Sequence, residues 1–124
     1  MGAAVGRAST VARGAAAETL AVEYLVGQGY RVLQRNFRCA GGEVDIIADE
    51  AGVLCFVEVR SRENDRHGDP LETIGPRKRQ RIIHAARIYI GTLTGPWPQM
   101  RFDAVGIVMR NPPEITLVRD AFEV

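Results

Sequence analysis

The apolar segment at residues 53–61 constrains the fold of this chain more than any other part of the sequence. Residues 53–57 carry no charged side chain, so a strand formed there presents apolar side chains on both of its faces. A strand of this kind lies in the interior of a sheet whose two faces are both covered. We therefore expect residues 53–61 to form a central strand with a layer of helix on each side.

Two further patterns predict the helices that form these layers. An apolar stripe at helical spacing runs through residues 10–28 and consists of Ala17, Leu20, Ala21, Tyr24 and Leu25. Pro76 suits the first turn of a second helix, which runs to about residue 93. The other predicted strands cover residues 30–38, 43–48, 101–109 and 114–118. This order predicts an α/β fold, a three-layer α/β/α sandwich with a mixed central sheet of about five strands flanked by helices.

Length and composition limit the class of protein. The chain has 124 residues, of which 46% are hydrophobic and 25% charged, as in one globular domain. We expect a flexible N-terminus at residues 1–9 and a single domain at residues 10–124. No apolar run exceeds five residues and no signal-peptide pattern is present, which predicts a cytoplasmic protein without a membrane anchor. Cys39 and Cys55 match neither a metal-site spacing nor a disulfide framework, in agreement with a reducing compartment.

Two carboxylates interrupt the predicted strands at positions where apolar residues are expected. Asp45 lies between Val44 and Ile46, and Glu58 lies between two valines. Alternation along the strand predicts that Glu43, Asp45 and Ile47 share one face. A carboxylate buried there without a partner costs several kcal/mol, so something must offset this cost.

Three explanations account for these carboxylates. Each carboxylate could pair with Arg60 or lie at a solvated sheet edge; both could bind a divalent cation such as Mg²⁺ or Mn²⁺; or they could act as an acid–base pair without a metal. The last is typical of sugar clefts, which are lined by aromatic residues, and aromatic residues make up only 6% of this chain. The spacing favours the cation, because Asp45 is followed thirteen residues later by Glu58 and then by Arg60. Two carboxylates beside a cationic group are what metal-assisted phosphodiester hydrolysis requires.

The sequence resembles the YraN group of uncharacterised bacterial proteins along nearly its whole length. The motifs that carry the resemblance are Gly-Glu-Val-Asp-Ile-Ile at 42–47, Phe-Val-Glu-Val-Arg-Ser-Arg at 56–62, Pro-Arg-Lys at 76–78, Arg-Phe-Asp at 101–103 and Ala-Phe at 121–122. Glu18, Ala21, Tyr24, Leu25, Gly29, Tyr30, Arg35 and Asn36 extend it through the first helix and strand. The resemblance implies a restriction-endonuclease-like, Holliday-junction-resolvase-like fold with a PD-(D/E)xK metal site.

The resemblance also implies an activity and a set of site residues. The activity is Mg²⁺- or Mn²⁺-dependent hydrolysis of DNA phosphodiester bonds, with branched DNA among the substrates and a homodimer as the acting form. Asp45, Glu58 and Arg60 are then the catalytic residues, and Glu18 joins Asp45 and Glu58 as a third metal ligand. Arg60 departs from the signature, which has lysine there. Arginine stays protonated, so it can stabilise charge on a phosphate but cannot take a proton from water.

The start of the second helix carries a cluster of cations, at Arg77, Lys78, Arg79 and Arg81. Cations at a helix N-terminus oppose the helix dipole unless an anion binds there, and a DNA backbone would supply that anion; the alternative is a solvated charged face of the helix. The second helix also has an apolar stripe, which consists of Ile82, Ala86, Tyr89, Ile90 and Leu93. Lys78 falls on the side of this stripe and is a candidate replacement for the missing lysine. Glu43, Arg62 and Asp103 are further candidates, and Asp103 is expected to pair with Arg101. The loop at residues 62–75, with Arg66 and His67, could close over DNA.

Three functions remain open from the sequence. The first is a metal-dependent nuclease, which needs Asp45 and Glu58. The second is a catalytically inactive nucleic-acid-binding module of the same fold, which needs only the basic residues. The third is a structural or partner-binding protein in which the carboxylates form an ion-pair network. The net charge of +1 does not by itself indicate a nucleic-acid binder.

Overall fold

The computed structural model describes residues 2–63 and 70–124, with side chains for residues 14–63, 70–71 and 74–124. The elements are α1 (Gly2–Gly27), β1 (Arg31–Cys39), β2 (Gly42–Glu50), β3 (Val53–Arg62), a 3₁₀ turn (Pro70–Thr73), α2 (Pro76–Gly91), β4 (Met100–Val108) and β5 (Glu114–Phe122). The strands form one sheet in the order β1-β2-β3-β4-β5. Among the described strands, only β3 and β4 pair in parallel, and α2 lies between them in the chain. The predicted mixed sheet of five strands is confirmed.

Each face of the sheet carries one helix. Ile82, Ala86 and Ile90 of α2 pack in the same buried cluster as Phe56 of β3. Ala17, Ala21 and Leu25 of α1 pack in a second buried cluster with the next residue of β3, Val57. Because adjacent residues of β3 are buried in different clusters, this strand is covered on both faces, as the apolar segment predicted. The three-layer α/β sandwich is confirmed.

Helix α1 differs from the prediction at its start. It begins at Gly2, whereas the apolar pattern predicted a start near Thr10. The segment added to the helix, residues 2–9, has no apolar periodicity, but it contains three alanines and no proline, so the helix can continue through it despite two glycines. The expected loop also contains the 3₁₀ turn at Pro70–Thr73. Arg66 and His67, named above as loop residues, lie outside the described residues.

Among the described residues, no helix combines the length and the apolar composition that a bilayer-spanning helix needs.

Candidate functional site

The site begins where β2 and β3 separate. These strands pair continuously from Glu50 and Val53 as far as Ile46 and Val57, and the pairing stops there. Asp45 is the next residue along β2, and its Oδ2 accepts a hydrogen bond of 2.8 Å from the backbone N–H of Val59. The Asp45 side chain therefore replaces a missing bond of the ladder. It stands in the gap that opens between the two strands.

The prediction that Glu43, Asp45 and Ile47 share one face is wrong. Val44 and Ile47 are buried in the cluster on the α2 side, whereas Ile46 is buried in the cluster on the α1 side. The alternation of faces therefore breaks at Asp45. As a result, Glu43 lines a cavity on the α2 side and Asp45 lines a cavity on the α1 side. Simple alternation missed this because it assumes a regular strand.

Glu58 is the buried carboxyl of the site, with 2% of its surface exposed. Its Oε2 lies 3.3 Å from Arg60 Nε and 3.5 Å from Lys78 Nζ. Its Oε1 is buried and has no hydrogen-bond partner within the described residues. Burial raises the pKa of Glu58 to about 8, with a further contribution from the neighbouring Asp45 carboxyl, while Lys78 and Arg60 oppose the rise.

A basic cavity of about 500 Å³ opens beside Glu58 on the α2 side. Its lining includes Glu43, Arg60, Gly75, Arg77, Lys78 and Arg81. Helix α2 starts at this cavity with Pro76 in its first turn and without a side-chain cap or an acidic residue there. The first N–H groups of α2 therefore have no side-chain acceptor at the cap. Such a helix start favours a bound anion.

Glu43 fixes two of the cations in the basic cavity. Its Oε1 accepts a hydrogen bond of 3.0 Å from Lys78 Nζ and lies 3.7 Å from Arg81 Nε. The Lys78 hydrogen bond holds the pKa of Glu43 below its ordinary value, and Arg81 adds to this effect. Lys78 therefore lies between Glu43 and Glu58, as its position near the apolar stripe predicted.

The turn between β1 and β2 holds α2 in this place. A Cβ at Gly42 would lie 2.5 Å from the carbonyl oxygen of Arg81 and 2.9 Å from the backbone nitrogen of Ala85, so only glycine permits this approach. The ring of His84 also makes a hydrogen bond of 2.9 Å with the carbonyl oxygen of Ala40. Backbone contact between the turn and α2 thus brings Glu43 to Lys78.

Arg79 is not brought into the basic cavity with the other cations of α2. It donates a hydrogen bond of 3.0 Å to the carbonyl oxygen of Ile74, and its guanidinium lies 5.6 Å from the centre of the Phe122 ring. The reason is helical spacing: Arg77 and Arg81 are four residues apart on one side of the helix, and Arg79 falls between them on another. Arg62, at the end of β3, has a buried Nε without a hydrogen-bond partner within the described residues.

A second cavity, of about 240 Å³, lies on the α1 side and is called here the carboxylate cavity. Its lining includes Glu18, Asn36, Arg38, Asp45, Val59 and Ser61. Glu18 comes from α1, as the resemblance implied, and its Oε1 accepts hydrogen bonds from Arg35 Nε at 2.8 Å and from Asn36 Nδ2 at 3.0 Å. The structure thus brings Glu18 and Asp45 to one cavity. Asn36 was not among the predicted site residues, although it lies in the Arg35–Asn36 segment that carries part of the resemblance.

Asp103 belongs to a different network. It is fully buried and accepts hydrogen bonds from Tyr30 Oη at 2.7 Å, Arg101 Nε at 2.8 Å and the backbone N–H of Asp120 at 2.9 Å. The expected pairing with Arg101 is confirmed. Arg101 also contacts Glu50 at the opposite end of β2 from Asp45. These contacts satisfy Asp103 and give it a structural role in joining β4 to its neighbours.

The carboxylates of Asp45 and Glu58 lie at the strand separation and offer oxygen ligands to a divalent cation. Within the described residues, no group of three or more histidine, cysteine, aspartate or glutamate side chains is arranged to hold a metal ion. Mg²⁺, however, is commonly held by one or two carboxylates together with water and substrate phosphates. The Asp45–Glu58 pair fits this pattern, since both ligands are hard oxygens and Glu58 Oε1 is buried and finds no partner among the residues that the structure describes.

Comparison with known proteins identifies the family of the chain. A family model described as "Uncharacterised protein family UPF0102" matches residues 17–107. The chain belongs to the UPF0102 family. A UPF0102 protein of Chlorobaculum parvum is 47% identical over 95 residues, which cover 77% of this chain and 74% of that protein. Another, from Geotalea uraniireducens, is 40% identical over 119 residues, or 94% of each chain.

UPF0102 is the family that the YraN resemblance indicated, and the matched segment includes the whole of the strand separation. Glu18, Asp45, Glu58 and the start of α2 all lie within it. The family description gives no activity. The function of the chain must therefore be argued from the site.

Proposed function

We propose that this UPF0102 protein is a metal-dependent nuclease that hydrolyses DNA phosphodiester bonds. The observation that carries the proposal is the buried Glu58 beside Asp45 at the separation of β2 and β3, next to a cavity lined by four cations. A buried carboxyl with an unpartnered oxygen is costly for stability, and such costs are retained where a site requires them.

The carboxylate pair and the basic cavity have different roles in the proposed hydrolysis. Asp45 and Glu58 would hold a divalent cation, and a bound cation would lower the pKa of a water and withdraw charge from the phosphate. Arg60 reaches the basic cavity from β3, and its guanidinium stabilises the charge that builds on the phosphate as water adds to phosphorus and one ester bond breaks. Arg77 and Arg81 bind the flanking backbone phosphates.

Lys78 takes part of the role that the signature assigns to the lysine now replaced by Arg60. The Lys78 ammonium lies 3.5 Å from Glu58 Oε2, and Arg60 Nε lies 3.3 Å from the same oxygen. We expect Lys78→Ala to slow cleavage and Arg60→Lys to retain it. Cleavage by Lys78→Ala at the wild-type rate would remove Lys78 from the proposal.

The alternative is a nucleic-acid-binding module of the same fold without catalysis. The observation in its favour is Arg60 itself, since an arginine paired with Glu58 gives a permanent cation where the signature has lysine. Such a module would need the basic cavity but not Asp45 or Glu58. The DNA partner and a cytoplasmic location belong to both versions of the proposal, and the free thiols of Cys39 and Cys55 agree with a reducing compartment. The homodimer stays a prediction from the resemblance.

Metal binding is the first test. Calorimetric titration of Mn²⁺ and Mg²⁺ into the wild type should show binding that is lost in the double variant Asp45→Asn with Glu58→Gln. Glu23→Gln, on the exposed surface of α1, is the control for loss of a carboxylate. Binding that survives in the double variant would contradict the site.

Cleavage is the second test. Single-stranded, duplex and four-way-junction DNA should be incubated with the wild type and the double variant in Mg²⁺ or Mn²⁺. Metal-dependent cleavage of any of them by the wild type alone supports the nuclease. DNA binding that is equal in both proteins, without cleavage, favours the binding module.

A further inference from the structure

Asn36 of β1 lies directly across from the candidate metal ligand Asp45 of β2. In the antiparallel pairing of β1 with β2, Arg35 pairs with Ile46 and Phe37 pairs with Val44. Asn36 and Asp45 are the residues between these pairs. The two therefore occupy neighbouring positions of the sheet, on the side of β2 opposite to Glu58.

The backbone of Asn36 has a conformation that is unusual in a strand. Its φ is +54°, in the left-handed region, where residues other than glycine are uncommon. Asparagine tolerates this region better than most residues, but a strand residue gains nothing from it locally. Such strained residues persist where the surrounding structure determines them, and they cluster at functional sites. The left-handed turn at Asn36 places its side chain in the lining of the carboxylate cavity.

The amide of Asn36 contacts Glu18, which with Asp45 is one of the two carboxylates that line this cavity. Nδ2 donates a hydrogen bond of 3.0 Å to Glu18 Oε1, the same oxygen that accepts from Arg35. Within the described residues, neither of these contacts uses Oε2 of Glu18. The arrangement leaves this oxygen available at a cavity that Asp45 also lines.

We propose that Asn36 is a positioning residue of the metal site, which orients Glu18 so that its free oxygen faces the cavity shared with Asp45. The inference rests on the proposed function, because it concerns the cation proposed at Asp45, whose cavity Glu18 also lines. Arg35 contributes less to the orientation of Glu18, since its side chain is 44% exposed and long. Asn36 has a short side chain on a backbone fixed by the sheet. Groups that orient metal ligands in this way commonly contribute tenfold or more to metal affinity.

The experiment replaces the amide without disturbing the backbone. Asn36→Gly removes the hydrogen bond to Glu18 and suits the positive φ, so the fold should be retained. Ala51→Gly is the matched control, because Ala51 has a φ of +52° and lies in the turn between β2 and β3, at the other end of β2. We expect Asn36→Gly to weaken Mn²⁺ binding by about tenfold or more in calorimetric titration, while its melting temperature changes no more than that of Ala51→Gly.

A cycle with Glu18→Gln tests whether Asn36 acts through Glu18. Glu18→Gln should weaken Mn²⁺ binding, and adding Asn36→Gly to it should have no further effect. Wild-type affinity in Asn36→Gly, or an equal loss in both backgrounds, would overturn the inference while leaving the Asp45–Glu58 site intact. Absence of Mn²⁺ binding in the wild type would overturn the metal site and this inference together.

Discussion

Among single residues, Glu58 lies in an environment that opposes its ionisation. Its carboxyl is buried beside Asp45, and this environment raises its pKa to about 8 from an ordinary value of 4.5. The folded protein therefore holds a proton that the unfolded chain releases between these two values. The contribution of Glu58 to stability is fully present below pH 4.5 and is lost as the pH rises through 8.

Glu58→Gln should remove the loss of stability that the wild type shows at high pH. In the presence of EDTA, we expect the variant to be more stable than the wild type by about 1–3 kcal/mol at pH 9, because glutamine buries no charge. The difference should shrink towards pH 5. Urea unfolding at pH 5, 7 and 9 measures it. A difference that is constant across this range would contradict the pKa assigned to Glu58.

At the scale of elements, the contact between the β1–β2 turn and α2 decides where the basic cavity forms. Gly42 lies against the backbone of α2 at Arg81 and Ala85, and Glu43 then reaches Lys78. This approach of backbone to backbone, with the hydrogen bond between His84 and the carbonyl oxygen of Ala40, places Glu43 beside Lys78.

Gly42→Ala should therefore destabilise the protein. The added methyl group would meet the Arg81 carbonyl oxygen at 2.5 Å, and relief of this contact requires α2 to move, at a cost of about 1–3 kcal/mol. Gly91→Ala, in the same helix, is the control, since nothing lies within 4 Å of its added Cβ. Thermal unfolding compares the two variants. Equal melting temperatures would show that α2 is not fixed by Gly42.

The elements were more predictable from the sequence than the site. Residues 53–57 and the two apolar stripes predicted the layers because burial on a sheet or helix imposes a period that the sequence must follow. The break at Asp45 has no such period, since it depends on the N–H of Val59, fourteen residues away, as the partner of a side chain. The left-handed backbone of Asn36 and the outward turn of Arg79 towards Phe122 likewise depend on contacts between elements.

At the scale of the whole molecule, a second charged cluster joins the sheet at the end opposite to the candidate site. Glu50 of β2 accepts hydrogen bonds from Arg119 of β5 at 2.8 and 2.6 Å and is also contacted by Arg101 of β4. The Arg119 hydrogen bonds, with a smaller contribution from Arg101, lower the pKa of Glu50 to about 2. The contribution of Glu50 to stability is therefore present above pH 4.5 and is lost as the pH falls through 2.

Glu50→Gln should remove this acid-sensitive contribution. We expect the variant to be less stable than the wild type at pH 7, with a difference that narrows as the pH falls from 4.5 towards 2. Chemical unfolding at pH 7, 4 and 2.5 follows the change, with Glu23→Gln as the exposed control. If the stabilities of Glu50→Gln and Glu23→Gln change with pH in the same way, the charge of Glu50 does not stabilise the contact between these strands.

The distribution of charge over the molecule makes a separate prediction about DNA. The net charge is only +1, so the overall field does not draw the protein to DNA, and the proposed DNA binding relies on the local cations of the basic cavity. Each phosphate contact contributes about 0.9 to the slope of log affinity against log salt concentration. Arg77→Ala should weaken DNA binding and reduce this slope by about one, whereas Arg87→Ala makes the same change in net charge on an exposed part of α2 outside the cavity. Fluorescence anisotropy at 50–300 mM salt gives both slopes. Equal slopes for the two variants would place DNA binding outside the basic cavity and separate it from the Asp45–Glu58 pair.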